Sequence, residues 1–372
     1  MGRLPLLLPL ALLTACPGLT DKGWEGEGED EEDPYVVTSE DVHIDEGYLG
    51  ELEVEIYSGM TNFLITAQGD NKLDIEEVVD PNGDTVFYWE DWDGKYSLTE
   101  AIAPYYSDTT FNWPIREKDE ELIEGTYTVY LGSYSSTGRP REDDLDVYLA
   151  RKRDDSFNSG KVGVRIVYAK GVDDDDDVVE AVEASVERWR EIWDAYNIEL
   201  DEEYGTSSLD ADLPYPLYEG NGIEAVANDT NGRQVTVIIG ETVEGAEDLY
   251  GITGGIPASM TATPRSAICI SWLANSGLDG DFSEDDIRLF GETLAHETGH
   301  YLGLYHPVEM DWSYYDAIPD TDSDCSRRTD CEDALGDNLM FPYPVCTRTS
   351  CTPQDQMTDG QVGVKMRYTG TE

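Results

Sequence analysis

His296-Glu297-Thr298-Gly299-His300-Tyr301-Leu302-Gly303-Leu304-Tyr305-His306 holds three of the 4 histidines in the chain. Two histidines four apart on a helix stand one above the other on the same face, so their imidazoles converge on one ion. Ser283, with Asp286 three residues on, has the pattern of a capping box and predicts a helix that runs through Leu294 to Leu302. Gly303 tolerates a positive φ and lets the chain turn sharply after that helix. The turn returns His306 as a third ligand. Three imidazole nitrogens suit zinc and leave a fourth position for water. Glu297, adjacent to the first ligand, is the candidate catalytic base for that water. The remaining histidine, His43, reads as an ordinary satisfied side chain.

The segment that leads into this cluster has the pattern of a mixed sheet with packed helices. Val162–Tyr168, Gln234–Ile239 and Ala267–Ser271 are apolar runs of strand length. Between the first two, Val178, Val182, Val186, Trp189, Trp193 and Tyr196 recur at helical spacing and form one stripe. The aspartates at 173–177 read as a solvated helix start favoured by the macrodipole rather than as a calcium loop. Gly251 to Met260 reads as irregular. Residues 160–372 are therefore expected to form an α+β domain.

Residues 35–155 alternate with the period of strands instead. Glu51-Leu52-Glu53-Val54-Glu55-Ile56-Tyr57 puts one face in and one out. Asp80-Pro81-Asn82-Gly83-Asp84 is a turn between strand-like Leu73–Val79 and Thr85–Trp89. Gly125–Leu131 and Leu145–Leu149 supply two more strands. Short strands with turn signals and no amphipathic helix predict a β-sandwich. It contains no catalytic constellation.

The chain has 372 residues, with 80 Asp+Glu against 24 Lys+Arg and a net charge of −56. That field repels phosphate backbones and anionic headgroups, which excludes a nucleic-acid binder or a basic membrane-surface protein. The 8 Trp and 23 Tyr within a 39% hydrophobic composition suffice for packed cores. At the start, Arg3 precedes an apolar run, Leu4 to Leu13, too short to span a bilayer, and the sequence through residue 15 reads as an export signal. Residues 16–34 form an acidic Gly/Glu-rich linker, self-repelling and extended.

Cysteine usage fits an oxidising compartment. Cys325, Cys331, Cys346 and Cys351 cluster after the histidines and allow three pairings; two disulfides are expected there, a second zinc site being the alternative. Cys269, on an apolar strand, is expected to be a buried free thiol. Asp311, Asp316, Asp320, Asp322, Asp324 and Asp337 crowd the same region, where calcium is the possible second cation.

The ending Leu13-Thr14-Ala15-Cys16 resembles the lipobox of bacterial lipoproteins, which implies that Cys16 is acylated and anchors the mature chain to a lipid membrane. The eleven-residue run matches the long zinc signature of the metzincin metallopeptidases. That resemblance implies a Met-turn beneath the metal, and Met340 in Asp337-Asn338-Leu339-Met340 stands in the right place. Within the metzincins the sequence is most similar to the pappalysin branch. Tyr-Leu-Gly-Leu-Tyr-His at 301–306, Pro319-Asp320-Thr321-Asp322, Asn338-Leu339-Met340 and the C-terminal Thr358–Tyr368, which resembles the branch's terminal helix, carry the likeness. The resemblance implies calcium in the lower half and a transition-state tyrosine two residues after the methionine. Here Phe341 and Pro342 intervene, and Tyr343 at the third position is the candidate. The expected protein is thus an exported, lipid-anchored zinc endopeptidase acting on proteins or peptides. A surface binding lipoprotein with a vestigial zinc site is the alternative.

Overall fold

Alternating strands of the first part assemble into two four-stranded antiparallel sheets. Tyr35–Ile44, Asp143–Arg153, Met60–Gln68 and Asp108–Trp113 lie side by side in one. Gly50–Ile56, Gly125–Tyr134, Lys72–Val79 and Thr85–Tyr88 form the other. In Gly50–Ile56, Leu52, Val54 and Ile56 are buried while the three glutamates between them are exposed, the period-two pattern of a sheet solvated on one face. The sheets face each other through aromatic pairs, Phe63 on Tyr127 and Phe87 on Phe111, with ring centroids 6.0 and 4.8 Å apart. Asp80 closes the turn between two of the strands, its Oδ1 accepting from the amides of Asn82 and Asp84 at 2.9 and 2.8 Å.

The computed structural model describes residues 35–372 other than 93, 155–156, 218–219, 228–233, 245, 247, 322–324 and 348–349. The export signal, Cys16 and the acidic linker lie outside the described residues, as do Asp322 and Asp324. Among the described residues no helix is long and apolar enough to cross a membrane.

The second sheet system has five strands in the order Ile198–Thr206, Gly160–Tyr168, Val235–Gly240, Ala267–Ser271, Gly251–Thr253. The first four run parallel and the last antiparallel. Helix Asp176–Asp194 connects the strands at Gly160 and Ile198. Its cap is Asp175, whose carboxylate accepts from the amides of Asp177 and Val178, so the aspartate run begins a helix, as expected. Val178, Val182, Val186, Trp189 and Trp193 are buried along its stripe, each worth roughly 2 kcal/mol. Tyr196 lies just past the helix end, where its hydroxyl accepts from the Met357 amide at 2.8 Å.

Two strands of this sheet escape the sequence reading. Ile198–Thr206 is rich in acids because it is an edge strand that buries only Ile198 and Leu200. Gly251–Thr253, inside the stretch expected to be irregular, is too short to show a period. Its pairing is supplied by distant Ile268–Ile270.

The two sheet systems share one hydrophobic core that runs from Tyr35 to Tyr368. Polar contacts seal the junction. Thr66 and Ser259 hydroxyls meet at 2.7 Å, and Asn112 donates to the Arg367 carbonyl while accepting from the Thr369 amide. Arg265, 5% exposed, pairs with Asp108 and Glu100 at 2.9 and 2.8 Å. Tyr96–Ser97 also pairs in parallel with Tyr315–Asp316, so the β-rich part holds the chain that follows the third histidine.

Candidate metal centre

Helix Glu284–Tyr301 starts where the capping box is expected. Ser283 Oγ accepts from the Asp286 amide at 3.2 Å and Asp286 accepts from the Ser283 amide at 2.9 Å. The helix ends at Leu302, and Gly303 turns the chain at φ 105°. That turn brings His306 beside His296 and His300, with ring centroids 4.7 to 5.3 Å apart.

Each imidazole is oriented by its other nitrogen. His296 Nδ1 lies 2.7 Å from the Leu339 carbonyl, His300 Nδ1 2.6 Å from the Leu304 carbonyl, and His306 Nδ1 2.9 Å from Glu309 Oε2. Those oxygens only accept, so Nδ1 carries the proton and Nε2 the lone pair in all three rings. Nε2 of His300 and Nε2 of His306 then face each other at 3.1 Å with no proton between them. Two lone pairs held that close call for a cation, and tetrahedral zinc with bonds of about 2.0–2.1 Å would set such nitrogens about 3.3 Å apart. The residues fit the metal. Burial holds His296 down to about 3 and His300 well below its ordinary value, which keeps both neutral and ready to ligate. Among the described residues this is the only group of three His, Cys, Asp or Glu side chains whose ligand atoms come within 4.8 Å of one another. His43 is exposed and pairs with Asp144 at 2.7 Å, the ordinary role expected of it.

Glu297 is 8% exposed, and its carboxyl is pushed up to about 7 by burial, which the Thr253 hydrogen bond only partly offsets. Thr253 Oγ1 lies 2.9 Å from Glu297 Oε2 and 2.7 Å from the Glu297 carbonyl, tying the edge strand to the helix. Met340 is fully buried beneath the helix. Its amide donates to Asn338 Oδ1 at 2.9 Å, and Asn338 exchanges side-chain hydrogen bonds with Gln361 at 2.9 and 3.1 Å. Gln361 belongs to helix Asp359–Arg367, which occupies the expected C-terminal position.

Tyr343 reaches the cleft wall, but its hydroxyl donates to Glu332 Oε1 at 2.9 Å and its ring packs edge-on to Phe341 and Trp312. The structure commits that hydroxyl to helix Arg328–Leu335 rather than to a histidine. Cys325 pairs with Cys331 and Cys346 with Cys351, while Cys269 is free and buried. Three of the six acids named for calcium make hydrogen bonds within the chain. Asp311 accepts from the Ser313 amide, Asp316 from the Ile318 amide, and Asp320 from Thr358 and Gly360.

Thr253 and Glu309 are the site residues that sequence reasoning missed. An acid three residues past the third histidine was the available signal for Glu309. A cleft of about 690 Å³ opens over the histidines, walled by Tyr250 to Thr253 on one side and Phe341 to Pro344 on another.

No family model and no curated protein matches the chain. Among solved structures it is similar to archaemetzincin from Methanopyrus kandleri, at 12% identity over 56% of this chain and 88% of that one, with a TM-score of 0.29. It is also similar to metalloproteinase-II from Bacteroides fragilis, at 14% identity over 75% and 86%, TM-score 0.25. Myroilysin is a third, at 13% identity over 55% and 92%, TM-score 0.26.

Proposed function

We propose that the protein is a zinc endopeptidase, exported and anchored through acylated Cys16. One observation carries the peptidase reading. Three imidazoles with their Nδ1 protons already bound stand beside a buried carboxylate from the helix that carries two of them, over an open cleft. A structural zinc site closes four positions with protein ligands. Here the protein offers three and a base.

When bound, zinc supplies a Lewis acid that polarises a peptide carbonyl and acidifies water. Glu297 takes the proton from the attacking water and returns it to the leaving amine nitrogen. Burial raises its carboxyl above the ordinary carboxylate range, the direction that favours proton uptake by a general base. The Thr253 hydroxyl holds the carboxylate at Oε2. The edge strand Gly251–Thr253 gives the cleft a wall against which an extended peptide backbone can lie.

The quoted motifs favour the pappalysin branch and hence protein substrates. The Leu-Thr-Ala-Cys ending after a short apolar run supports anchoring, and Cys16→Ser is expected to shift the protein out of the membrane fraction; unchanged fractionation would overturn the anchor. For the peptidase reading, the test is a mixed peptide library incubated with purified protein, with and without a zinc chelator. Cleavage that stops on chelation and returns with added zinc is expected. Zinc-loaded protein that cuts nothing would favour the binding lipoprotein instead.

A further inference from the structure

Arg265 joins two sets of contacts at the junction of the sheet systems. Its buried guanidinium is held by carboxylates from the β-rich part. Nε meets Asp108 Oδ1 at 2.9 Å, Nη2 meets Glu100 Oε1 at 2.8 Å, and the Tyr106 ring centroid lies 4.0 Å from the guanidinium carbon. Glu100 also donates its amide to the Ile256 carbonyl at 3.0 Å. A tight turn fixes the backbone of Arg265. Its amide donates to Thr263 Oγ1 at 3.1 Å, and Ser266 Oγ bridges the Thr263 amide and carbonyl at 2.8 and 2.9 Å. Gly254 presses against that backbone: a Cβ there would lie 2.2 Å from the Arg265 carbonyl oxygen and 2.7 Å from its Cα. A Cβ at Gly255 would lie 3.1 Å from Glu100 Oε1. Gly254 directly follows the edge strand Gly251–Thr253, whose last residue holds the Glu297 carboxylate. Contacts therefore run unbroken from Asp108 and Glu100, through Arg265 and Gly254, to Thr253 and Glu297.

We propose that Asp108, Glu100 and Arg265 are positioning residues for the catalytic base, so that the β-rich part completes the site instead of standing beside it. The inference rests on the endopeptidase reading and deepens it. An arginine this deeply buried is tolerable only with its acids in place, and its planar fork fixes direction as well as distance. The strand Gly251–Thr253 has a sheet neighbour on one side only, Ala267–Ser271, so its second constraint comes from the segment that follows it. Close packing at Gly254 leaves no slack, and a displacement of Arg265 passes on to Thr253. Thr253 Oγ1 in turn sets where Glu297 Oε2 stands. A misplacement of about 1 Å at a reacting group costs about 10²-fold in rate. The Thr369 hydroxyl supplies a comparison. It seals the same junction by donating to Asn112 Oδ1 at 2.7 Å, and it belongs to the C-terminal segment, outside this route.

The test uses the full chain loaded with zinc and a peptide that the wild type cleaves. Arg265→Lys keeps the charge and loses the fork. It is expected to lower kcat by about tenfold, with zinc still stoichiometric and circular dichroism unchanged at the assay temperature. Asp108→Asn should act in the same direction and stands in if Arg265→Lys fails to fold. Thr369→Val should lower the melting temperature and leave kcat alone; an equal kcat loss there would mean that the junction only adds stability, which overturns the inference. Thr253→Val is expected to lower kcat several-fold, and adding Arg265→Lys to it should cost little more, because the route is already cut. Losses that multiply, or an untouched kcat in Arg265→Lys, would overturn the route. A second readout needs no catalysis. Cys269 is buried on the strand paired with Ile252, so loosening the edge strand opens it to a thiol reagent in the native protein. Labelling several-fold faster in Arg265→Lys than in wild type or Thr369→Val is expected, and equal rates would overturn the positioning role. A zinc-loaded wild type that cuts no peptide would sink the peptidase reading alone, and the labelling rates would still decide whether these residues position the strand.

Discussion

The sulfur of Met340 packs directly against Gly299, in the turn of helix between His296 and His300. A Cβ at Gly299 would lie 2.5 Å from Met340 Sδ and 3.2 Å from its methyl. The glycine inside the histidine motif therefore answers to the floor of the site. Only a residue without a side chain lets that floor approach the helix closely enough for the Leu339 carbonyl, one residue away, to hold His296 Nδ1. Gly299→Ala is expected to lower stability by about 1–3 kcal/mol through overpacking and to weaken zinc binding, because Leu339 moves with Met340. Thermal melts and zinc titration of the variant check both. Wild-type values for each would mean that the contact is slack.

Glu297→Gln leaves the three imidazoles and their carbonyl and carboxylate partners in place. Amide nitrogen and oxygen still meet Thr253, but the proton acceptor is gone. Peptide hydrolysis should fall by at least about 10²-fold while bound zinc stays stoichiometric by elemental analysis. Near wild-type turnover would show that another group takes the proton.

The histidine helix was legible because its signals are local: a capping box three residues wide, a 3.6-residue period and a glycine at the turn. The helix stripe from Val178 to Trp193 and the buried strands were readable for the same reason. Thr253 was not, since a three-residue strand has no period and is made a strand by partners at Ile268–Ile270. Glu309 was hidden differently. In a chain with 80 acids one more carboxylate carries no signal until a histidine is seen bonded to it. Met340 was reachable only through family resemblance, because its place depends on Asn338 meeting Gln361. The seal between the sheet systems, such as Asn112 with Thr369, spans more than half the chain and leaves no mark in local pattern.

Below the cleft, Val308, Cys325, Cys331, Leu335 and Phe341 form a small apolar cluster separate from the main core. Met340 belongs to the main core, so the floor under His296 does not depend on the disulfides. Each disulfide closes a short loop and is worth on the order of 2 kcal/mol. Reduction is therefore expected to loosen the Phe341 and Tyr343 wall, raising KM, while zinc stays bound and most secondary structure persists in circular dichroism. Thiol titration of the denatured, unreduced, lipid-anchored protein should find one free thiol, that of Cys269, because the Cys16 sulfur is acylated. Four further thiols would refute the pairing.

Asp74 sets a pH dependence of stability away from the metal. It lies on strand Lys72–Val79, is 7% exposed, and has no ion-pair partner among the described residues. Burial, then the charge of Glu76, pushes its carboxyl up to about 8, and the Gly132 backbone offsets only part of this. In the unfolded chain the same group titrates near ~3.9. Between those values the unfolded state has lost the proton and the native state still holds it. The native state therefore binds more protons, and stability falls as pH rises, by up to about 1.4 kcal/mol per unit from this group. Below about pH 4 both states are protonated and the effect vanishes; above pH 8 it stops growing. Asp74→Asn keeps the shape and removes the proton, so it should melt like the wild type near pH 4 and a few kcal/mol more stably at pH 8. Other buried carboxyls, Glu297 among them, add their own slope to both proteins, which makes the difference between the two melting curves the quantity to follow. Curves that stay parallel from pH 4 to pH 8 would show that Asp74 ionises as freely in the fold as outside it.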